Sequence, residues 1–308
     1  MFTPTRIIRP RLNIVLALSL LWSTMPDLST RAAEQSRLFY HPEIKAKLKD
    51  GKVLLFPPNL RLGTLQYTGA KAHRGKSISA SGRIELPGQA EVMLVPSSYL
   101  RQNPALINCF EGAISGIEIK TTDDKTLLQQ LAAKNTIKTL KFSGLTLDEE
   151  MIWAINSFPQ LKSLQFERNA ATKSPISNKI KRMQKLESLS VTASTTVLLK
   201  EVGSSKYLKK LELSGANLAL ADFAMLQNLP TLQFLSIQES QYPDAAIAYF
   251  PRFKTLKVLW LGKRHWSKES FSYLKRLTNL QELHVQASKE DLAQYLELYN
   301  ALPGILKP

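Results

Sequence analysis

The sequence predicts an α/β solenoid in which short strands form a parallel sheet, each strand is followed by a helical return, and a small β-rich region precedes the repeats. Three observations lead there. A pattern apolar-x-x-apolar-x-apolar recurs as Ile114/Ile117/Ile119, Ile137/Leu140/Phe142, Leu161/Leu164/Phe166, Leu186/Leu189/Val191, Leu208/Leu211/Leu213, Leu232/Leu235/Ile237, Leu256/Leu259/Leu261 and Leu280/Leu283/Val285. The starts lie 23, 24, 25, 22, 24, 24 and 24 residues apart, a regularity that marks a repeat architecture. The stretches between carry apolar residues spaced by threes, as in Phe223/Leu226/Leu229, Ile247/Phe250/Phe253 and Phe271/Leu274/Leu277, which places them on one face of a short helix. With 44% hydrophobic residues the chain has enough apolar material for such a core, which excludes wholesale disorder.

The elements follow in chain order. Residues 1–32 read as a secretory signal: Arg6, Arg9 and Arg11, then the apolar run Leu12 to Trp22, then small residues around Thr30–Ala33. Cleavage after Ala32 fits, and the alternative is an uncleaved signal-anchor. Loss of Arg6, Arg9, Arg11, Arg31 and Asp27 would lower the net charge from +16 to +13. The chain is therefore expected to be secreted or periplasmic.

Residues 33–110 lack the repeat. They contain β-like runs at Val53–Phe56 and Leu60–Leu65 and a hairpin-like pair, Ile84/Leu86 and Val92/Leu94, around Pro87-Gly88. Asn103-Pro104 reads as the start of a short helix. This region is expected to cap the solenoid, because an end repeat cannot bury its apolar face alone. Residues 111–287 hold the repeats. Over 288–308, Ser288-Lys-Glu-Asp291 reads as a capping box, and Leu292, Tyr295, Leu296 and Leu302 as the inner face of a terminal capping helix.

The repeat region resembles the leucine-rich repeat family, and segments such as "LKKLELSGANLALADFAMLQNLPTL" are similar to bacterial repeats of the strand–Ser–Gly–helix kind. The resemblance implies a right-handed horseshoe with a concave parallel sheet and a convex row of helices. It also implies an asparagine three residues past each strand, tying neighbouring turns together. Only Asn169 matches that position; Thr122, Ser194, Ser240 and Ser288 occupy it elsewhere, and Leu145, Ala216 and Arg264 have no equivalent bond to offer.

Chemistry-bearing motifs are sparse. The sequence has no Walker-type phosphate loop, dinucleotide glycine fingerprint, zinc-protease helix or nucleophile elbow, and Tyr67, His73 and Glu85 in the β-rich region form no recognisable arrangement. His41, His73, His265 and His284 lack metal-ligand spacing. The carboxylates Asp123-Asp124 and Asp148-Glu149-Glu150 fall where helices should begin and suit the helix macrodipole. A single Cys109 excludes an intramolecular disulfide and leaves either a buried thiol or a reactive one. No catalytic residue, cofactor or metal is expected.

A binding surface is expected on the concave face. Period-two alternation turns the residue between the two inward apolar positions outward, giving the column Glu118, Lys141, Gln165, Ser190, Glu212, Ser236, Trp260 and His284. Trp260 and His284, with Phe234 and Lys257 on the same strands and Lys263 and Arg264 (beside Trp266) on the exit loop, form a candidate partner site; the competing reading has Trp260 lying flat over the sheet. A second column supplies a basic rim of Lys138, Lys162, Lys209 and Lys257, while Lys179, Lys181, Arg182 and Lys185 sit on a return segment. Basic residues thus fall on both faces, and nucleic acid, which favours one stripe with interleaved aromatics, is not the expected ligand. The function expected is a non-enzymatic scaffold that binds a protein or other macromolecule; the alternative is electrostatic binding of an anionic envelope polymer or membrane surface.

Overall fold

The computed structural model describes residues 51–307 apart from 57–58, 69–75, 88–89, 111, 133–135, 146–147, 168–184, 193–198, 200–201, 204, 263–265 and 287–288. The expected signal, Asn169, Ser194, Ser288, the return-segment cations Lys179, Lys181 and Arg182, the loop residues Lys263 and Arg264, and His41, His73 and His265 lie outside the described residues, as does the side chain of Cys109.

The chain divides into two compact units, Met1–Leu60 with Ser81–Gly88, and Arg61–Ala80 with Gln89–Pro308. In the first, β1 (Gly51–Leu55) pairs antiparallel with β4 (Arg83–Pro87), from Gly51 opposite Pro87 to Leu55 opposite Arg83. The Phe56 N–H extends the ribbon to the Gly82 carbonyl at 2.8 Å.

The second unit holds a twelve-stranded sheet. At one end lie β2 (Gly63–Thr68) and β3 (Lys76–Ser79), antiparallel to each other, with β2 antiparallel to β5 (Glu91–Pro96). From β5 onward the strands are parallel and follow chain order: β6 (Gly116–Ile119), β7 (Thr139–Ser143), β8 (Ser163–Glu167), β9 (Ser188–Thr192), β10 (Lys210–Ser214), β11 (Phe234–Gln238), β12 (Val258–Leu261), β13 (Glu282–Val285) and β14 (Leu306–Lys307). The expected hairpin around Pro87-Gly88 does not form. Both edges of β5 are taken, by β2 and β6, so β4 pairs with β1 instead.

Register follows from burial. The second apolar residue of every repeat stands opposite its counterpart, and the row runs Leu65, Leu94, Ile117, Leu140, Leu164, Leu189, Leu211, Leu235, Leu259, Leu283, Leu306. Each member is at most 3% exposed. A one-residue slip of any strand would turn its apolar pair to the open face. The row therefore reaches past the eight repeats legible in the sequence, onto β5 and β2 at one end and β14 at the other.

A backbone ladder fixes the same register. Just before each strand, one carbonyl accepts two N–H groups from the next unit: Ser115 O from Lys138 N (2.7 Å) and Thr139 N (3.1 Å), and Lys257 O from Gln281 N (2.7 Å) and Glu282 N (3.1 Å), with Lys138, Lys162, Glu187, Lys209 and Gln233 doing the same between them. At the front, Ser115 Oγ accepts from Val92 N at 3.0 Å.

Past the strands, Gly144 and Gly215 adopt left-handed φ values of 71° and 66°, and their N–H groups donate to the carbonyls of Glu167 and Gln238 one strand on. Ser240 does in part what the expected asparagine would: its Oγ accepts from Ala216 N (3.0 Å) and donates to Gln238 O (2.9 Å), bonding one turn to the next.

The returns are short. They include α2 (Lys125–Ala132), α3 (Glu149–Ser157), α4 (Leu220–Leu226) and α5 (Lys268–Leu274), while Asp244–Arg252, expected as a short helix, winds as a 3-10 helix with Pro251 inside it. The apolar triplets read from the sequence are buried, and Phe223 meets Phe250 edge-on at 5.7 Å. Asp148 caps α3 through Met151 N (3.0 Å). Asp124 does more than face a helix start: wholly buried, it accepts from Arg101 Nε (2.7 Å), on the preceding helix α1 (Ser98–Gln102), and from Lys120 N (3.2 Å).

The terminal helix α6 (Leu292–Ala301) is present but rotated from expectation. Leu292 and Leu296, expected inward, are 57% and 54% exposed; Leu302 is buried as expected, and Leu298 is buried with it. The segment carries two overlapping apolar series, and the Lys275–Glu297 ion pair at 2.8 Å ties α6 to α5 with the second series inward.

Truncating the buried row should be costly and truncating the columns beside it cheap. Leu235→Ala is expected to lower unfolding free energy by about 2–5 kcal/mol and Gln233→Ala by less than about 0.5 kcal/mol, as measured by urea denaturation.

Candidate binding surface on the open face of the sheet

The strand register sets which outward side chains become neighbours. Glu212, Ser236, Trp260, His284 and Lys307 stand in one row across β10 to β14, and Lys210, Phe234, Val258 and Glu282 in the row before it. Three of the expected site residues come together: the Phe234 and Trp260 ring centroids lie 5.8 Å apart at 49°, and those of Trp260 and His284 4.5 Å apart at 46°. All three are half-buried. Trp260 thus packs on its strand neighbours and stays partly open. Its Nε1–H, however, is covered and has no acceptor.

Each end of this aromatic strip is closed by a polar side-chain contact. Lys210 Nζ sits 5.0 Å from the Phe234 centroid, a cation–π distance, and 3.0 Å from Glu212 Oε1. At the other end Glu282 Oε2 is 3.4 Å from His284 Nε2. Lys210 and Glu282 escaped the sequence reading because they lie one row earlier than the column considered, although Lys210, Phe234 and Glu282 keep the repeat spacing. Lys257 is exposed and sits before the strand start, and no ring contact joins it to the strip. Trp266 belongs to the interior: it is 2% exposed, its Nε1 donates to Gln286 O at 3.3 Å, and its ring meets Phe271.

Toward β6 the open face is ionic. Glu118 is buried, accepts from Ser143 Oγ (2.8 Å), and lies 3.5 Å from Lys141 Nζ and 3.7 Å from Lys120 Nζ; Lys141 also reaches Glu167 at 3.0 Å.

The expected basic rim is interrupted. Glu187 stands between two of its lysines, with Oε1 2.6 Å from Lys162 Nζ and Oε2 2.9 Å from Lys209 Nζ. Those two ammonium groups hold the Glu187 carboxyl below the ordinary glutamate range, outweighing its partial burial. At Asp148 burial opposes ionisation, but the Lys125 ammonium and the Met151 N–H prevail and its carboxyl also lies low. Lys138 and Lys257 remain exposed and, among the described residues, without an ion pair.

Among the described residues no group of three or more His, Cys, Asp or Glu side chains could hold a metal ion, and no helix is long and apolar enough to cross a membrane. The arrangement offers flat, partly open rings with hydrogen-bonding groups at both ends, which is suited to contact.

No family model and no curated protein matches the sequence. Among solved structures the chain is similar to two of the Toll–Spatzle complex of Drosophila. One match has 12% identity and a TM-score of 0.43 over 73% of this chain, and the glycosylated form has 11% identity and a TM-score of 0.44 over 86%. In both cases the match covers 35% of the other chain, so this protein spans about a third of its length.

Glu187 has a pH signature. Its carboxyl is lowered in the folded state, so its stabilising contribution is complete above the ordinary value of 4.5 and disappears as pH falls through the lower folded value. Glu187→Gln should therefore flatten the acid limb of the Tm-versus-pH curve and cost at most about 1 kcal/mol at neutral pH, measured by calorimetry across the acid range.

Proposed function

We propose that this protein is a leucine-rich repeat scaffold of the bacterial strand–helix kind, exported from the cytoplasm and non-enzymatic, which binds a protein partner through the open face of its sheet. On this reading the sheet curves as the concave face of a right-handed horseshoe, and the β-rich residues before 111 and the helix after 287 cap its ends. The repeat supports the scaffold: a face whose positions are held by a continuous backbone ladder loses little conformational entropy when a partner docks.

One observation carries the choice of site. Phe234, Trp260 and His284 form an unbroken strip of half-open rings across neighbouring strands, bracketed by the Lys210–Glu212 and Glu282–His284 pairs. Aromatic side chains held rigid by their neighbours and ringed by polar groups are the usual anchors of protein interfaces. Val258 and Ser236 fill the spaces between the rings, giving a partner a continuous surface without an exposed backbone edge.

The expected outcome is that Trp260→Ala weakens partner binding by about 2 kcal/mol or more, near 30-fold, at unchanged net charge. Unchanged far-ultraviolet circular dichroism would show that the solenoid remains folded. The measurement is affinity capture from an extracytoplasmic fraction with wild type and variant side by side, followed by titration of the retained protein. Equal retention by both would overturn the site.

A further inference from the structure

Charge in the repeat unit separates by the two edges of the sheet and not, as the sequence columns suggest, over both faces. Because β5 to β14 are parallel, all strands begin along one edge, where the returns end, and finish along the other, where the returns begin. The finishing edge carries carboxylates, Asp148, Glu149 and Glu150 at α3, Asp222 at α4, and Asp244 and Glu269 at the next two returns, among which stand Lys120, Lys125 and Lys268. Helix macrodipoles account for that placement.

The starting edge is basic. In the links between return and strand the one carboxylate among the described residues is Glu187, already clamped by Lys162 and Lys209, while Glu91 and Glu282 are the first residues of β5 and β13. Lys138, Arg252, Lys254, Lys257 and Arg276 are exposed there and make no ion pair among the described residues. Two of them are held in position: Arg252 Cζ lies 5.3 Å from the Tyr249 ring and Arg276 Cζ 5.4 Å from the Tyr273 ring, at the same place in successive repeats. The macrodipole explains the two arginines at the return ends, but not Lys138 or Lys257. These lie beyond the helices in the link to the strand, where their carbonyls are already satisfied by the backbone ladder.

We infer that this edge binds a linear polyanion bearing phosphate groups, laid across successive strand starts. The row is one-dimensional and steps by about 4.8 Å per strand, which suits a thread better than a folded partner. Most of its members are lysines, point charges that serve tetrahedral phosphate oxygens without the planar pairing a carboxylate prefers, and the ring-stacked arginines add oriented forks. This surface is separate from the aromatic strip and does not depend on it.

The test is a titration of the full chain into dye-labelled long-chain inorganic polyphosphate, read by fluorescence anisotropy. Lys254→Gln/Lys257→Gln/Arg276→Gln is expected to weaken binding about tenfold and to make the slope of log K against log salt shallower by about two between roughly 50 and 200 mM. Lys120→Gln/Lys268→Gln/Lys289→Gln, which removes equal charge away from this edge, should stay within about twofold of wild type. Glu187→Gln, which frees two lysines, should tighten binding, and Trp260→Ala should leave it unchanged. Equal losses in both triple variants, no binding by wild type, or tighter binding of polyglutamate of matched length and charge would overturn the proposal.

Discussion

Everything outward in this protein depends on the doubled hydrogen bond at the strand starts and the buried apolar row just after it. One carbonyl per repeat receives two N–H groups from the next, and two residues later a leucine or isoleucine stacks on its counterpart. The returns wind as α-helix in some units and as 3-10 helix in another, even among units that share the 24-residue spacing. The strands themselves stay in step. With side chains alternating strictly, a fixed inward row means fixed outward rows, and distant stretches of sequence become permanent neighbours.

Those neighbours divide the open face. Near β6 to β10 it carries ion pairs, Glu118 with Lys141 and Glu187 with Lys162 and Lys209 among them. Exposed pairs such as those of Glu187 add little to stability, but they remove free positive charge from the face. From β10 to β13 the same rows hold rings. A protein with a large positive net charge thus presents a balanced, partly aromatic face, while several of the unpaired cations among the described residues stand where the strands begin. Both surfaces rest on rigid elements, and neither requires the scaffold to move.

The interior shows how far the repeat can be stretched. Leu94 and Leu65 continue the buried row on strands with no recognisable repeat, and β2 and β3 end it with antiparallel pairing. At the other end the two-residue strand β14 and helix α6 follow the last repeat. The buried Arg101–Asp124 pair binds the residues before the first repeat to its first return, a role that charge pattern alone would assign to the helix macrodipole.

The sequence by itself determined the repeat, its spacing, the inward rows and the outward column holding Trp260 and His284, because each follows from local periodicity and one burial rule. It did not determine which partner β4 would take, which of two apolar series on α6 would turn inward, that Trp266 would be core, or that Glu187 would clamp two rim lysines. These were decided only when residues about one repeat apart met across the sheet, or when a neighbour chose between two helix faces with similar apolar content. Pairwise meetings of this kind leave no period in the chain. They arise from register and packing, which belong to the assembled sheet.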